Sequence, residues 1–337
     1  MTDANRLHHS LLTIDTHIDI FWPNTPDPFT RTEKCVDFVK MREGHMVAGC
    51  FVAYVPQGPR TPEGFAAARE RALGMLATIN ARGRTEAGIT ARVAATADAI
   101  EAAHRDGACV VVPAVENGHA IGEDLGLLRT FRDLGATYLT LVHNGHNLLC
   151  DSANPRADLG DAATLHGGLS EFGRSAIAEL NRVGMLIDVS HASRDAMLQA
   201  AEVSRTPVVA THSCCRALCD NPRNMDDTQL DALRQTGGLI QITAVPGFVR
   251  AQGKADSVTF DDYCAHIDHA VQRVGIEHVG IGSDFDGGGG FTGWRDAADC
   301  PNLTAALLSR GYDAAAVTLL WGGNFLRALR RAEAAAA

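Results

Sequence analysis

Apolar residues in this chain fall into short, nearly unbroken runs, each followed by a stretch in which they return every three or four positions. The runs are LLTIDTHID (11–19), VAGCFVAYV (47–55), ACVVVPAVE (108–116), TYLTLVHN (137–144), GMLIDVSH (184–191), TPVVATHS (206–213), GGLIQITAV (237–245) and HVGIGSDF (278–285). Continuous apolar runs fit strands buried on both faces, as in parallel sheets. The amphipathic stretches between them, such as SEFGRSAIAELNRVG and FDDYCAHIDHAVQRVG, fit helices. Ser170, Ser193 and Asp226 stand where helices should begin, since a short polar side chain can take a free backbone N–H. Gly135, Gly184, Gly237 and Gly275 stand where helices should stop. Eight strands alternating with helices predict a (β/α)8 TIM barrel with inserted βα loops; an open doubly wound sheet is the other arrangement the pattern allows. With no repeat, linker or break in composition, residues 1–337 read as one domain, its last helix (314–332) closing the barrel.

Ionisable residues collect at the C-terminal ends of these strands, where barrel enzymes place their chemistry. The first strand ends in His17 and Asp19, the third in Glu116 and the fourth in His143; the fifth ends in His191, the sixth in His212 and the eighth in Asp284. Each has a plainer role when taken alone. His17-Ile18-Asp19 puts two side chains on one strand face, but a His-x-Asp is also a common surface pair. Glu116 can pair with an arginine, and single histidines are usually satisfied by backbone groups. As a set, two imidazoles, one His-x-Asp pair and one carboxylate aimed at a single barrel mouth form a shell for two divalent metals. Such ligands suit zinc, and also manganese, cobalt or iron. Glu116, with two oxygens, is the candidate bridge.

Other conspicuous residues carry less. His8, His9, His104, His266 and His269 read as solvated or structural, while His119, His146 and His166 lie in loops within possible reach of substrate. Cys214, Cys215 and Cys219 hint at a thiolate metal site but lack a second matching pair. Gly287 to Gly290, without the Lys-Ser/Thr of a phosphate loop, read as a flexible βα loop.

Composition narrows the class. The chain is 46% hydrophobic and 21% charged, with net charge −10, which fits a globular enzyme with a large core. No dense basic stretch is present, so neither a nucleic acid nor an anionic membrane is an expected partner. The start MTDANRLHHS does not read as a secretory signal, the end LRRAEAAAA lacks the apolar tail of a lipid-anchor signal, and no run approaches the roughly 18 apolar residues of a spanning helix. Nine scattered cysteines suit reduced thiols. The expected setting is cytoplasmic.

These residues, in this order, resemble the membrane dipeptidase (renal dipeptidase) family, a branch of the amidohydrolase-like metallohydrolases. The matching segments are IDTHID, VVPAVENGHAI, TYLTLVHN, GLSEFGRSAIAELNRVGMLIDVSHAS, THSCCRALCDNPRN, GGLIQITAVPGF, GIGSDFDGG and WGGNFLRAL, spread over nearly the whole chain. The resemblance implies a cofactor of two zinc ions per chain, one held by His17, Asp19 and Glu116, the other by Glu116, His191 and His212, with a hydroxide between them. It implies that His143 polarises the scissile carbonyl, Arg223 grips the terminal carboxylate of a dipeptide, and Asp284 shuttles the proton. The implied activity is hydrolysis of L,L dipeptides and of those with a D residue in second position, in a protein that forms a homodimer. A binuclear amidase acting on N-acyl amino acids, lactams or another small amide is a second reading of the same site, and a non-catalytic barrel a third. Ile18 stands where the family commonly carries Asn, and Asp286 is a second acid that could exchange roles with Asp284.

Overall fold

The computed structural model describes residues 3–337. All eight expected runs contain strands: β1 (Ile14–Asp19), β2 (Ala48–Tyr54), β3 (Cys109–Glu116), β4 (Tyr138–Thr140), β5 (Leu186–Asp188), β6 (Val208–Ser213), β7 (Leu239–Ile242) and β8 (Val279–Ile281). They pair in sequence order, each parallel to the next. The ring is joined by a parallel bridge between Ile18 and Phe285, with Asp19 N donating to Phe285 O at 3.0 Å and Asp284 N to His17 O at 3.1 Å. The fold is a nearly closed TIM barrel, and the open-sheet alternative is set aside.

The strands are shorter than the apolar runs, because the ends of several runs turn away from the ladder toward the mouth. Helix signals behave as their chemistry dictates. Ser170 accepts from Gly173 N, Ser193 from Ala196 N, and Asp226 forms a reciprocal capping box with Gln229. Gly184 and Gly237 end their helices at φ 73° and 74°, a conformation that disfavours any side chain. One feature of the barrel floor is absent from the apolar pattern: a hairpin of Thr85–Glu86 and Ile89–Val93 turns at Ala87-Gly88 and adds a parallel strand beside the start of β3. It is short, with only Ile89 and Ala91 buried, so no strong apolar period marks it.

Register sets the level of the site. Tyr54 pairs with Glu116, Glu116 with Thr140, and Thr140 with Asp188, so the polar ends of four adjacent strands share one ring. Below them the barrel is filled by Ala48, Cys50, Val52, Val110, Val112 and Leu186, continuous with Phe325, Leu326 and Leu329 of the last helix. That helix spans Asn324–Ala334 and is preceded by a π turn at Leu319–Gly323, so the expected 314–332 segment is three pieces. Among the described residues no helix is long and apolar enough to cross a membrane.

Candidate metal centre and active site

The five expected ligands converge. Glu116 faces His191 Nε2 through Oε1 at 3.3 Å and His212 Nε2 through the same oxygen at 3.5 Å, while its Oε2 lies 3.6 Å from His17 Nε2. One carboxylate thus presents its two oxygens to two sets of imidazoles. Three overlapping groups of donors each lie within 4.8 Å: His17 with Glu116 and His212, Glu116 with His143 and His191, and His17 with Asp19 and Asp284. His143 and Asp284 therefore stand as close as the five residues expected to be ligands.

The histidines are held in one tautomer by a shell beneath them. Tyr138 donates its hydroxyl to Thr16 O at 2.9 Å, so at 3.1 Å it can only accept from His17 Nδ1. Thr211 donates to Asp188 Oδ2 at 2.8 Å and accepts from His212 Nδ1 at 2.9 Å. Asn144 Oδ1 already accepts from Asn154 at 3.1 Å, which leaves His191 Nδ1, 3.3 Å away, as a second donor. In all three rings the bare lone pair is on Nε2, aimed at the gap. Asp188, fully buried, anchors this shell by also accepting from Thr140 Oγ1 at 2.6 Å, Ser190 Oγ at 2.8 Å, Ser190 N at 3.0 Å and Thr211 N at 3.0 Å.

This arrangement fits divalent cations. His17 Nε2 is buried with no hydrogen-bond partner, and the Nε2 atoms of His191 and His212 face each other at 2.9 Å. Two lone pairs that close repel unless a cation sits against both. Burial holds His191 and His212 well below the usual imidazole range, hence neutral as metal ligands must be. Asp19 is pushed well above the usual carboxylate range by burial and by the neighbouring Glu116 charge. Crowded buried carboxylates of this kind are costly without a compensating positive charge.

Asp284 occupies the left-handed region at φ 62°, its Oδ1 4.0 Å from His17 Nε2, and burial raises it to about 7. Asp286 is differently employed, for its two oxygens accept from Cys35 N at 2.9 Å and Val36 N at 3.2 Å. Burial lowers His143 to about 4, so its ring is neutral; it lies 4.1 Å from the His191 ring and 4.8 Å from that of Tyr54. Arg223 is buried over Phe248 and donates to His212 O at 3.2 Å, and its Nε has no partner. Burial lowers it to about 10, which leaves it cationic at neutral pH. The cavity these residues share has a volume of about 450 Å³ and is also lined by Phe21, Trp22, Tyr54, Arg71, Val245 and Asp286.

One expectation needs correction. Gly287–Gly290 is not a loose loop: a Cβ on Gly287 would lie 2.0 Å from Asp19 Oδ2 and 2.3 Å from Asp284 Oδ1, and one on Gly289 1.9 Å from Ser283 O. Close approach to the acids explains Gly287 and backbone crowding Gly289, while Gly288 and Gly290 sit at φ 136° and 117°. His146 and His166 bond loop carbonyls (Ala162 O at 3.0 Å and Asn147 O at 2.8 Å), and His119 meets Gln57 at 3.2 Å; none lines the cavity. Cys214, Cys215 and Cys219 donate to three separate carbonyls and form no metal-holding group among the described residues. Ile18 points away from the mouth and packs over Gly49 in the core, so an amide at that position would gain no ligand contact. Tyr138, Thr211 and Asp188 went unread because a polar residue inside an apolar run reveals its partners only once other strands are placed beside it.

Comparison with known proteins now adds to this geometry. The description of the membrane dipeptidase family (Peptidase family M19) matches residues 1–337. The chain belongs to that family. Among curated proteins it is similar to dipeptidase tcpJ of Claviceps purpurea (38% identical over 242 residues, covering 72% of this chain and 55% of that protein). It is also similar to dipeptidase 3 of Mus musculus (37% identical, covering 67% of this chain and 45% of that protein). The match thus spans about half the length of these curated relatives. Among solved structures, the probable dipeptidase PvdM of Pseudomonas aeruginosa superimposes with a TM-score of 0.92 at 27% identity, covering 99% of this chain and 98% of the other. A metallo peptidase of Rhodobacter sphaeroides, solved with a phosphinate mimic of the dipeptide L-Ala-D-Ala, gives 0.82 at 27% identity, covering 96% and 99%.

Proposed function

We propose that this member of the family is a dipeptidase using two divalent cations, zinc in the first instance, on L,L dipeptides and on dipeptides with a D residue in second position. One observation carries the reading: the imidazole–carboxylate cluster shares one cavity with a buried arginine whose Nε lacks a partner. In the Rhodobacter protein, the same fold was solved with a dipeptide mimic.

His17, Asp19, Glu116, His191 and His212 would hold the metals, with Glu116 between them. Such ions supply Lewis acidity and bring the pKa of water toward about 7. Arg223 offers a planar fork for the substrate's terminal carboxylate, which fixes one end of a short peptide and excludes longer chains at that end. His143, neutral, donates a hydrogen bond to the scissile carbonyl as charge develops on its oxygen. Asp284, which lines the cavity with its Oδ1 4.0 Å from His17 Nε2, takes a proton from the attacking water and returns it to the leaving amine. The protein acts in the cytoplasm as a homodimer.

Metal analysis coupled to a dipeptide panel of mixed chirality tests this. Two equivalents of zinc per chain and turnover abolished by a chelator and restored by zinc are expected. A protein that binds two ions yet leaves every dipeptide intact refutes the substrate, and one that binds none refutes the centre.

A further inference from the structure

Arg71 is the second cation of the cavity, and no part of the metal centre or its shell uses it. It stands on the helix Pro62–Asn80, which follows β2. Its Nε donates to Tyr54 O at 2.9 Å, and its guanidinium lies over the rings of Trp22 (5.4 Å) and Tyr54 (6.0 Å). Those contacts fix the plane of the head group. Among the described residues, no carboxylate pairs with it and no acceptor takes its two terminal nitrogens. A half-buried, pre-positioned fork with both NH2 groups unused is built to meet a carboxylate from outside the protein.

Barrel topology says which part of a dipeptide it meets. Arg223 follows β6 and Arg71 follows β2, four places apart in a ring of eight, hence on opposite sides of the mouth. With the terminal carboxylate at Arg223 and the scissile amide over the central histidines, the first residue of the dipeptide extends toward β2. Its side chain there meets Trp22, Tyr54 and Arg71, which line the same cavity. We propose that Arg71 is a specificity-determining residue that selects dipeptides with an acidic first residue, Glu-Xaa or Asp-Xaa. This rests on the dipeptidase reading above.

The test compares zinc-loaded wild type, Arg71→Met and Arg71→Lys on Glu-Ala, Ala-Glu, Ala-Ala and Lys-Ala, with calorimetric titration of non-cleavable phosphinate analogues of Glu-Ala and Ala-Ala. In the wild type, kcat/KM should fall in the order Glu-Ala, Ala-Ala, Lys-Ala. Arg71→Met should cut the Glu-Ala to Ala-Ala ratio roughly ten- to a hundredfold, the range for losing a charged hydrogen-bonded pair, and improve Lys-Ala. Arg71→Lys should retain part of the preference. Because Arg71 also holds the Tyr54 carbonyl, a misfolded Arg71→Met leaves the decision to Arg71→Lys and the wild-type order. A wild type that takes Ala-Ala as well as Glu-Ala, equal losses on all substrates in Arg71→Met, or a preference for Ala-Glu over Glu-Ala each overturns the proposal while leaving a dipeptidase. If no dipeptide is cut, the dipeptidase reading fails and calorimetry still decides: tighter, Arg71-dependent binding of the Glu-Ala analogue upholds the acidic subsite, and equal binding of both analogues removes it.

Discussion

Asp284 reaches the metal centre from a backbone at φ 62°, with its own N–H given to His17 O and its carbonyl taken by Gly287 N at 3.1 Å and Gly289 N at 2.8 Å. Asp286 at φ 65° and His191 at φ 69° share this left-handed geometry, which costs on the order of 1–2 kcal/mol per non-glycine residue. The strain is accepted where a side chain must be aimed inward from a loop. If Asp284 carries the proton, Asp284→Asn should keep near wild-type metal content, because the amide has the same shape, yet lose about 10²–10⁴-fold in kcat. Metal analysis beside steady-state kinetics decides, and undiminished turnover removes Asp284 from the reaction. At the other wall, Arg223→Ala should weaken free dipeptides by about 1.5–3 kcal/mol in transition-state binding while sparing dipeptide amides, which lack the carboxylate. Equal losses on a dipeptide and its amide would remove that role.

Strand β6 supplies both a proposed ligand, His212, and the residue that orients it, Thr211. The ladder is irregular between Ala210 and Ser213, which lets both adjacent side chains serve the same interior. Thr211 donates to Asp188 on β5 and accepts from a ring nitrogen, so it transmits the position of one strand to the ligand of the next. Thr211→Val keeps the shape but leaves Asp188 short of a donor and frees the imidazole to change tautomer. Zinc affinity in chelator competition should fall about 10–100-fold. Thr211→Ser should recover most of it, and unchanged affinity in the valine variant would show that the rings are held by packing alone.

Stability of the whole molecule carries a pH signature from outside the active site. His8 is buried, with Nε2–H donating to Gly44 O at 2.8 Å and Nδ1 2.7 Å from the Thr304 hydroxyl. Desolvation lowers it from 6.5 to about 4. The unfolded chain therefore takes up a proton below pH 6.5 that the folded protein refuses until about pH 4, so this residue's share of stability is present above 6.5 and is lost as pH falls toward 4. That share is roughly 3 kcal/mol. Denaturant titrations at pH 7 and pH 4.5 should show a smaller acid loss in His8→Gln than in wild type. An identical loss in both would place the acid sensitivity elsewhere.

The amino-acid order alone determined much of this protein. Eight apolar runs specify eight strands because a doubly covered parallel sheet tolerates few polar residues within it. Charges at the ends of those runs, His17 through Asp284, mark the mouth because such charges are unfavourable anywhere that lacks a partner or an ion. The family membership expected from the quoted motifs is the one the whole-chain match shows. Tertiary structure alone decided what distant residues become to one another. The tautomer-setting shell of Tyr138, Thr211 and Asp188 exists only because neighbouring strands align in one register. Gly287 looked like looseness until Asp19, far away in sequence, was found against it. Arg71 was one charge on an amphipathic helix until the barrel set it across the mouth from Arg223. Hydrophobic periodicity is a local property written along the chain, whereas hydrogen bonds, close approaches and facing charges depend on distances that only closure of the barrel fixes.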